Sequence, residues 1–285
     1  MFKYILAGGL LLSSVSVTAA PILCDGKLSD VIITSAVNTS TNDEIVPTGE
    51  SIEASACAGS FTGNDNSVFV NNNTGTWGDG ILNGGLNNKG ATWFDAPGAF
   101  ITSDDLQALD GNGLVNDPGW VYLGKDDGAG FLVTDKTKWY GNGNESAFNL
   151  AEFLSIDFSC VDGCKVGTWT LDFLEPDKLL SELSSTVFGE SFFDHVALSF
   201  KVGNNTIIYD FNFNAINDEN GDVFDLNTPH NFKGEYDLSA FHNSISHISV
   251  WARDPLNTVS VDEPVTLFLF SSGFLALVLM RMKRK

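Results

Sequence analysis

The sequence predicts an all-β fold: an antiparallel β-sandwich, jelly-roll or lectin-like, with one short helix, an N-terminal signal peptide and a C-terminal transmembrane helix. Three observations point there. Short apolar runs of period two recur between clusters of Gly, Asn and Asp. A single stretch has helical periodicity. Long apolar runs are confined to the two ends. With 43% apolar, 12% aromatic and 18% charged residues in 285, the chain is rich enough to bury a core, and it is neither a disordered acidic tail nor a collagen-like fibre.

The first element is Met1 to Ala20. Lys3 precedes an apolar run from Tyr4 to Leu12, and Ser13, Ser14, Ser16, Thr18, Ala19 and Ala20 stand before Pro21. That order reads as a secretory signal, residues 1–20, cleaved near Ala20 after delivery to the Sec export machinery. Its apolar run is about half of the roughly 20 residues a membrane span needs.

The body, residues 21–255, reads as one sandwich domain with a loop-rich N-terminal part. Strands are expected at Val31 to Val37, Trp120 to Leu123, Phe153 to Phe158, Val166 to Phe173, His195 to Val202, Thr206 to Phe213 and Ser246 to Ala252. The clearest pair is the hairpin His195–Phe213. Val196, Leu198, Phe200 and Val202 alternate with polar residues, Ile207, Tyr209, Phe211 and Phe213 do the same, and Gly203-Asn204-Asn205 supplies the turn. Only Pro176 to Ser185 looks helical, with proline near its start and Leu179, Leu180 and Leu183 on one side. The stretch from Phe61 to Gly119 is dense in Asn and Gly and punctuated by Trp77, Trp93 and Phe94, a loop long enough to suggest function.

Four cysteines remain after signal removal, and an exported chain meets an oxidising compartment. Cys160 and Cys164 flank Val161-Asp162-Gly163, which reads as a three-residue hairpin loop that sets the two sulfurs opposite one another within disulfide reach. Cys24 then pairs with Cys57. Loop-closure entropy assigns about 2 kcal/mol to the short bridge and about 3–4 kcal/mol to the longer one.

After a linker at 256–264, Val265 to Met280 is a charge-free run of 16 residues followed at once by Arg281, Lys283, Arg284 and Lys285. As a helix it is about 24 Å long, enough to enter a hydrocarbon core of about 30 Å with snorkelling ends. The basic cluster at 281–285 stays cytoplasmic. The order of Asp262-Glu263-Pro264, apolar helix and basic end resembles the PEP-CTERM sorting signal of Gram-negative bacteria, with Asp262 where that family has its first proline. The resemblance implies a transient inner-membrane anchor. An exosortase-type protease would then act near Glu263-Pro264 and release the body to the cell surface or extracellular matrix. Exported proteins with such tails often carry a body that this one also resembles. Its parts here are a Gly-x-Trp strand (Gly167-Thr168-Trp169), an Asp/Phe-rich hairpin opening at Phe193-Asp194-His195, and a late Ser-His strand ending in a basic residue (Ile245 to Arg253). The resemblance implies a β-sandwich envelope component and carries no catalytic residues.

Charge narrows the partners. Fifteen Lys and Arg against 36 Asp and Glu give a net −21, and five of those basic residues belong to the terminal segments. Such a body repels phosphate backbones, so nucleic acid is excluded as a general partner, and cations are the natural counterparts. Calcium is the expected ion because Asp126, Asp127, Asp218, Asn220 and Asp222 put hard oxygen ligands on Gly/Asn-rich backbone. Trp77, Trp93 and Trp120 in Gly/Asn-rich surroundings form a candidate stacking platform for sugar rings.

No nucleophile elbow or zincin motif is present, and the four histidines, His195, His230, His242 and His247, have no catalytic spacing. The expected function is therefore non-enzymatic: an exported envelope or biofilm-matrix protein with a structural or adhesive role and polysaccharide or matrix as partner. The alternative is a carbohydrate-binding module with a tryptophan platform and calcium-ordered loops. A secreted hydrolase needs two placed carboxylates, and no spacing singles out two among 36.

Overall fold

The computed structural model describes residues 24–63, 82, 119–126, 131–133, 137–141, 144–148, 152–161, 163–184, 193–221 and 223–253. The signal segment, Trp77, Trp93, Asp127, Asp222, the Asp262-Glu263-Pro264 motif and the 265–280 run lie outside them. Among the described residues no helix is long and apolar enough to cross a membrane.

The strands in chain order are β1 (Val31–Asn38), β2 (Ile52–Glu53), β3 (Ala56–Thr62), β4 (Trp120–Asp126), β5 (Phe131–Val133), β6 (Thr137–Gly141), β7 (Asn144–Phe148), β8 (Leu154–Val161), β9 (Val166–Phe173), β10 (His195–Val202), β11 (Asn205–Asn212), β12 (His230–Asp237) and β13 (Ile245–Arg253). Helix α1 (Pro176–Ser184) follows β9, and α2 (Phe213–Asn220) follows β11. One sheet has the order β2-β1-β12-β9-β8 and a second the order β3-β11-β10-β13-β4-β5, while β6 and β7 form a separate hairpin. All of the strand pairs are antiparallel. The all-β sandwich expected from the period-two runs is thus the fold.

Alternation places one face of each large sheet against the other. Val196, Leu198, Phe200 and Val202 of β10 and Ile207, Tyr209 and Phe211 of β11 share a core with Trp169 and Leu171 of β9 and Phe232 and Tyr236 of β12. Aromatic rings bridge the layers: Trp169 meets Phe211 at 5.9 Å and Phe200 meets Tyr236 at 5.2 Å, while Phe213 at the start of α2 stacks on Phe232 at 5.1 Å. Two glycines make room for this. A Cβ at Gly234 would overlap the Trp169 indole and the Ile32 carbonyl, and one at Gly167 would fall 2.5 Å from the Tyr236 hydroxyl. Because Gly234 pairs with Trp169 and Gly167 with Tyr236 across β9 and β12, each large ring lies over the glycine opposite it.

Several local expectations are corrected. The β10–β11 turn has two residues, not three, because Val202 pairs with Asn205; Gly203 takes φ +58 at its first position, as a type II′ turn requires. The β8–β9 ladder continues to Val161 opposite Val166, so Cys160 faces Gly167 and the loop begins after Val161. Cys164, at φ +60, belongs to that loop, and its disulfide ties the turn back to β8. Cys24 pairs with Cys57 on β3, as expected. Phe213 begins a second helix instead of ending a strand: the Asn212 side chain accepts from the Ala215 N–H at 3.0 Å and Gly221 closes the helix in the left-handed region. Strand β12, with charged residues and a glycine, was not anticipated, yet it is central, between β1 and β9.

Gly234→Ala tests the ring-over-glycine packing. The added methyl forces the Trp169 indole to move, and urea unfolding is expected to show a loss of about 1–3 kcal/mol. An unchanged midpoint would mean the indole is free to shift.

Candidate functional site

Polar chemistry concentrates on the outer face of the six-stranded sheet. With Val196, Leu198, Phe200 and Val202 turned inward, the intervening His195, Ala197, Ser199 and Lys201 turn outward. The same phase on the neighbouring strands presents Thr206, Ile208 and Asp210 of β11 and Ser249, Trp251 and Arg253 of β13. Register sets His195 directly opposite Arg253 and one rung diagonal to Asp210, which pairs with Ala197. Arg253 in turn pairs with Trp120 at the start of β4.

This face is not solvated. Asp194, His195, Asp210 and Arg253 are only 0 to 2% exposed. A second apolar cluster surrounds them, formed by Ala58, Leu82, Trp120, Tyr122, Ala197, Ile208 and Trp251. Ionised groups in such a place are tolerable only when they compensate one another.

The geometry provides the compensation. His195 Nδ1 lies 3.1 and 3.0 Å from the two carboxylate oxygens of Asp210. Its Nε2 lies 3.5 Å from Arg253 Nη1 and 3.8 Å from Asp194 Oδ1. The Asn214 amide, in the first turn of α2, donates to Asp194 Oδ2 at 2.7 Å. Main-chain bonds complete the knot, from Asp194 N–H to the Arg253 carbonyl and from Phe213 N–H to the Asp194 carbonyl. Trp120 meets the imidazole edge-on, ring centroids 5.5 Å apart. Burial disfavours a charged imidazole. The carboxylates of Asp210 and Asp194, with the hydrogen bond to Asp210, outweigh it and the opposing Arg253, and hold His195 above its ordinary value. Arg253 Nε and Nη2 and Ser249 Oγ are buried without a hydrogen-bond partner.

A carboxylate-bound imidazole is also the pair that orients the base of a hydrolytic triad. Here the free edge of the ring meets a guanidinium and a second carboxylate, and among the described residues no hydroxyl or thiol is one of its polar contacts. What this arrangement can do is balance charge, fix strand ends and exchange a proton.

Two other features frame the site. Between the sheets a cavity of about 20 Å³, room for about one water, is lined by Phe213, Phe224, Phe232 and His230 among others. His230 Nε2 is buried without a hydrogen bond, and burial holds this imidazole below its ordinary value against the pull of Asp225. On the outer face of the five-stranded sheet, a groove of about 480 Å³ crosses Ile32, Glu235, Thr168 and Ser159, with Asp30 and Asp237 beside it.

The residues singled out from sequence are scattered. Trp120 is 0% exposed, a correction to its reading as an open stacking platform: its indole is walled in by the second apolar cluster and the His195 ring. Asp218 and Asn220 lie on α2 instead of a bendable loop, and the Asn220 amide donates to the Ile216 carbonyl. Asp126 ends β4. Among the described residues no three His, Cys, Asp or Glu side chains are grouped to hold a metal ion. The Asp194–His195–Asp210–Arg253 set was not anticipated as a unit. Its only trace was ionisable residues in the outward phase of strongly apolar strands. No family model, curated protein or solved structure matches the chain.

Trp120→Ala distinguishes a buried wall from a ligand platform. As a wall, its loss costs about 3–5 kcal/mol, read as a large fall in the denaturation midpoint with no ligand present. A variant as stable as the parent would return Trp120 to the surface.

Proposed function

We propose that this chain is a non-enzymatic, exported β-sandwich of the bacterial envelope or extracellular matrix, with a structural or adhesive role. The observation that carries the reading is the pair of closed disulfides, one fastening the N-terminal segment to β3 and one clasping the β8–β9 turn, which together use all four cysteines of the chain. Such bridges persist in oxidising compartments. The signal-like start delivers the chain there, and the 265–280 run with its basic end holds it at the inner membrane until an exosortase-type protease acts near Glu263-Pro264. Pairing of β1 with β12 and of β3 with β11 supports a jelly-roll-like wrapping. The open groove beside Asp30, Glu235 and Asp237 supplies an acidic, hydroxyl-bearing surface of the kind an adhesive or polysaccharide contact uses.

The carbohydrate-binding alternative now depends on Trp77 and Trp93, and calcium would enter by ordering acidic loops. Glycan-array binding abolished by Trp93→Ala, with the melting temperature unchanged, would favour that alternative. A melting scan with and without EDTA isolates the ion: a midpoint that falls on chelation is the expected mark of bound calcium, and no shift removes it.

Intact-mass measurement of the protein recovered from its cell tests the main reading. The expected species lacks residues 1–20, lacks the tail beyond the Glu263-Pro264 region and is four hydrogens lighter than the fully reduced chain, one pair lost at each disulfide. A full-length chain with four free thiols would overturn export, processing and oxidation together.

A further inference from the structure

We propose that Asp194, His195, Asp210 and Arg253 form a proton-gated latch on the outer face of the six-stranded sheet, closed while the His195 imidazolium completes an electrically balanced set and weakened when the ring gives up that proton.

Charge counting comes first. Two carboxylates face one guanidinium and one imidazole, all 0 to 2% exposed. With the imidazole charged the set sums to zero. With it neutral, these four groups carry a net negative charge at a buried place, and excess buried charge is costly to a fold. Among the described residues, the groups that face the ring come from five places. β11 presents Asp210, the residue before β10 is Asp194, β13 presents Arg253, β4 presents the uncharged Trp120, and α2 reaches the set through the neutral Asn214 amide. Lys201 lies six residues along β10, about 20 Å away at the rise of a strand.

The proton also selects the partner of the ring. In either state Nδ1–H donates to Asp210. A protonated Nε2 donates toward Asp194 Oδ1, now 3.8 Å away, whereas a neutral Nε2 accepts from Arg253 Nη1 at 3.5 Å. The imidazole therefore stands between two alternatives, each requiring only a small closing movement.

Position gives the latch its reach. His195 is the first residue of β10, Arg253 the last of β13 and Trp120 the first of β4, while Asp210 is two residues from the end of β11. Four strand ends and the start of α2 thus meet at one titratable ring. Arg253 is the last residue of β13, so the latch fixes that strand end.

The sign follows from the raised value of His195. A group that binds its proton more tightly folded than unfolded contributes stability fully present below its unfolded value, about 6.5, and lost as the pH rises through the folded one. The test uses the full oxidised chain in detergent, followed by urea unfolding and by NMR titration of the imidazoles from about pH 5 to about pH 10. Only four histidines are present, so His230→Gln, His242→Gln and His247→Gln assign the His195 signal by elimination. The expected result is a His195 midpoint above the ordinary histidine range and a urea midpoint that falls over the same interval. Asp210→Asn is expected to lower the His195 midpoint by about one unit or more, and His195→Gln to abolish the pH-dependent fall. A His195 ring already neutral at about pH 6 would sink the latch, as would a flat urea profile in the parent or the same fall surviving in His195→Gln. Should the cluster variants not fold, the titration of the parent decides by itself.

Discussion

Burial of both faces of the central strands of the six-stranded sheet is the constraint on which the rest of this structure depends. A two-layer sandwich needs to bury only the inner face, and its outer faces ordinarily carry water-facing polar side chains. Here every residue of β10 is buried, inward and outward phases alike, and β11 and the second half of β13 follow closely. The outward phase was nevertheless written with ionisable side chains. Those side chains cannot reach bulk water, so each must find its counterpart on a neighbouring strand, and the register supplies it.

That requirement explains why the cluster is distributed as it is. Asp194, His195, Asp210 and Arg253 come from three strands or their immediate ends; Asp194 and His195 are neighbours in sequence, but Asp210 and Arg253 reach them only through the correct pairing. A one-residue slip of β10 would turn His195 and Lys201 into the aromatic interior and carry Phe200 out of it. Buried ionic sets add little net stability compared with apolar replacements, because desolvation offsets most of the attraction. Their contribution here is to exclude the wrong register. The apolar side does the complementary work: the Trp169 and Tyr236 rings lie over Gly234 and Gly167, and only one alignment of β9 on β12 allows both. Each sheet therefore carries its own alignment device, one made of charge and one of shape.

The parts legible in the sequence were those governed by short-range pattern. β9 and β10 were bounded correctly because uninterrupted alternation leaves no other reading. Both cysteine pairs followed from proximity and elimination, although the hairpin offset at Cys160 did not, since the ladder length beyond Cys160 depends on β9 and not on the turn itself. What escaped was whatever a long-range partner decides. β12, with Lys233, Gly234 and Glu235 in its middle, has weak strand character, and it forms because β1 and β9 leave a slot between them. α2 was hidden because Phe213 continued the alternation of β11, while the helix start depends on the Asn212 cap. Trp120 was misplaced for the same reason: a tryptophan among glycines reads as exposed until a second layer covers it. His195 and Asp210 were rightly set in the non-core phase, but phase says nothing of depth.

Comparison of two of the histidines shows how little depth alone decides. His230 and His195 are the same side chain at similar burial, yet their surroundings drive them in opposite directions. Around His230 the neighbours are the rings of Phe224 and Phe232 with a small apolar cavity, and one flanking carboxylate, Asp225, does not offset the loss of water. Its proton is held less tightly in the fold than out of it, so its contribution is present above the unfolded value and lost as the pH falls through the folded one. Around His195 two carboxylates reverse the balance, and the contribution is lost on the alkaline side. The two rings thus bound the range of the fold from opposite directions. They do so from different places, one within the inter-sheet core and one on the covered outer face, so acid loosens the aromatic interior while alkali loosens the strand ends.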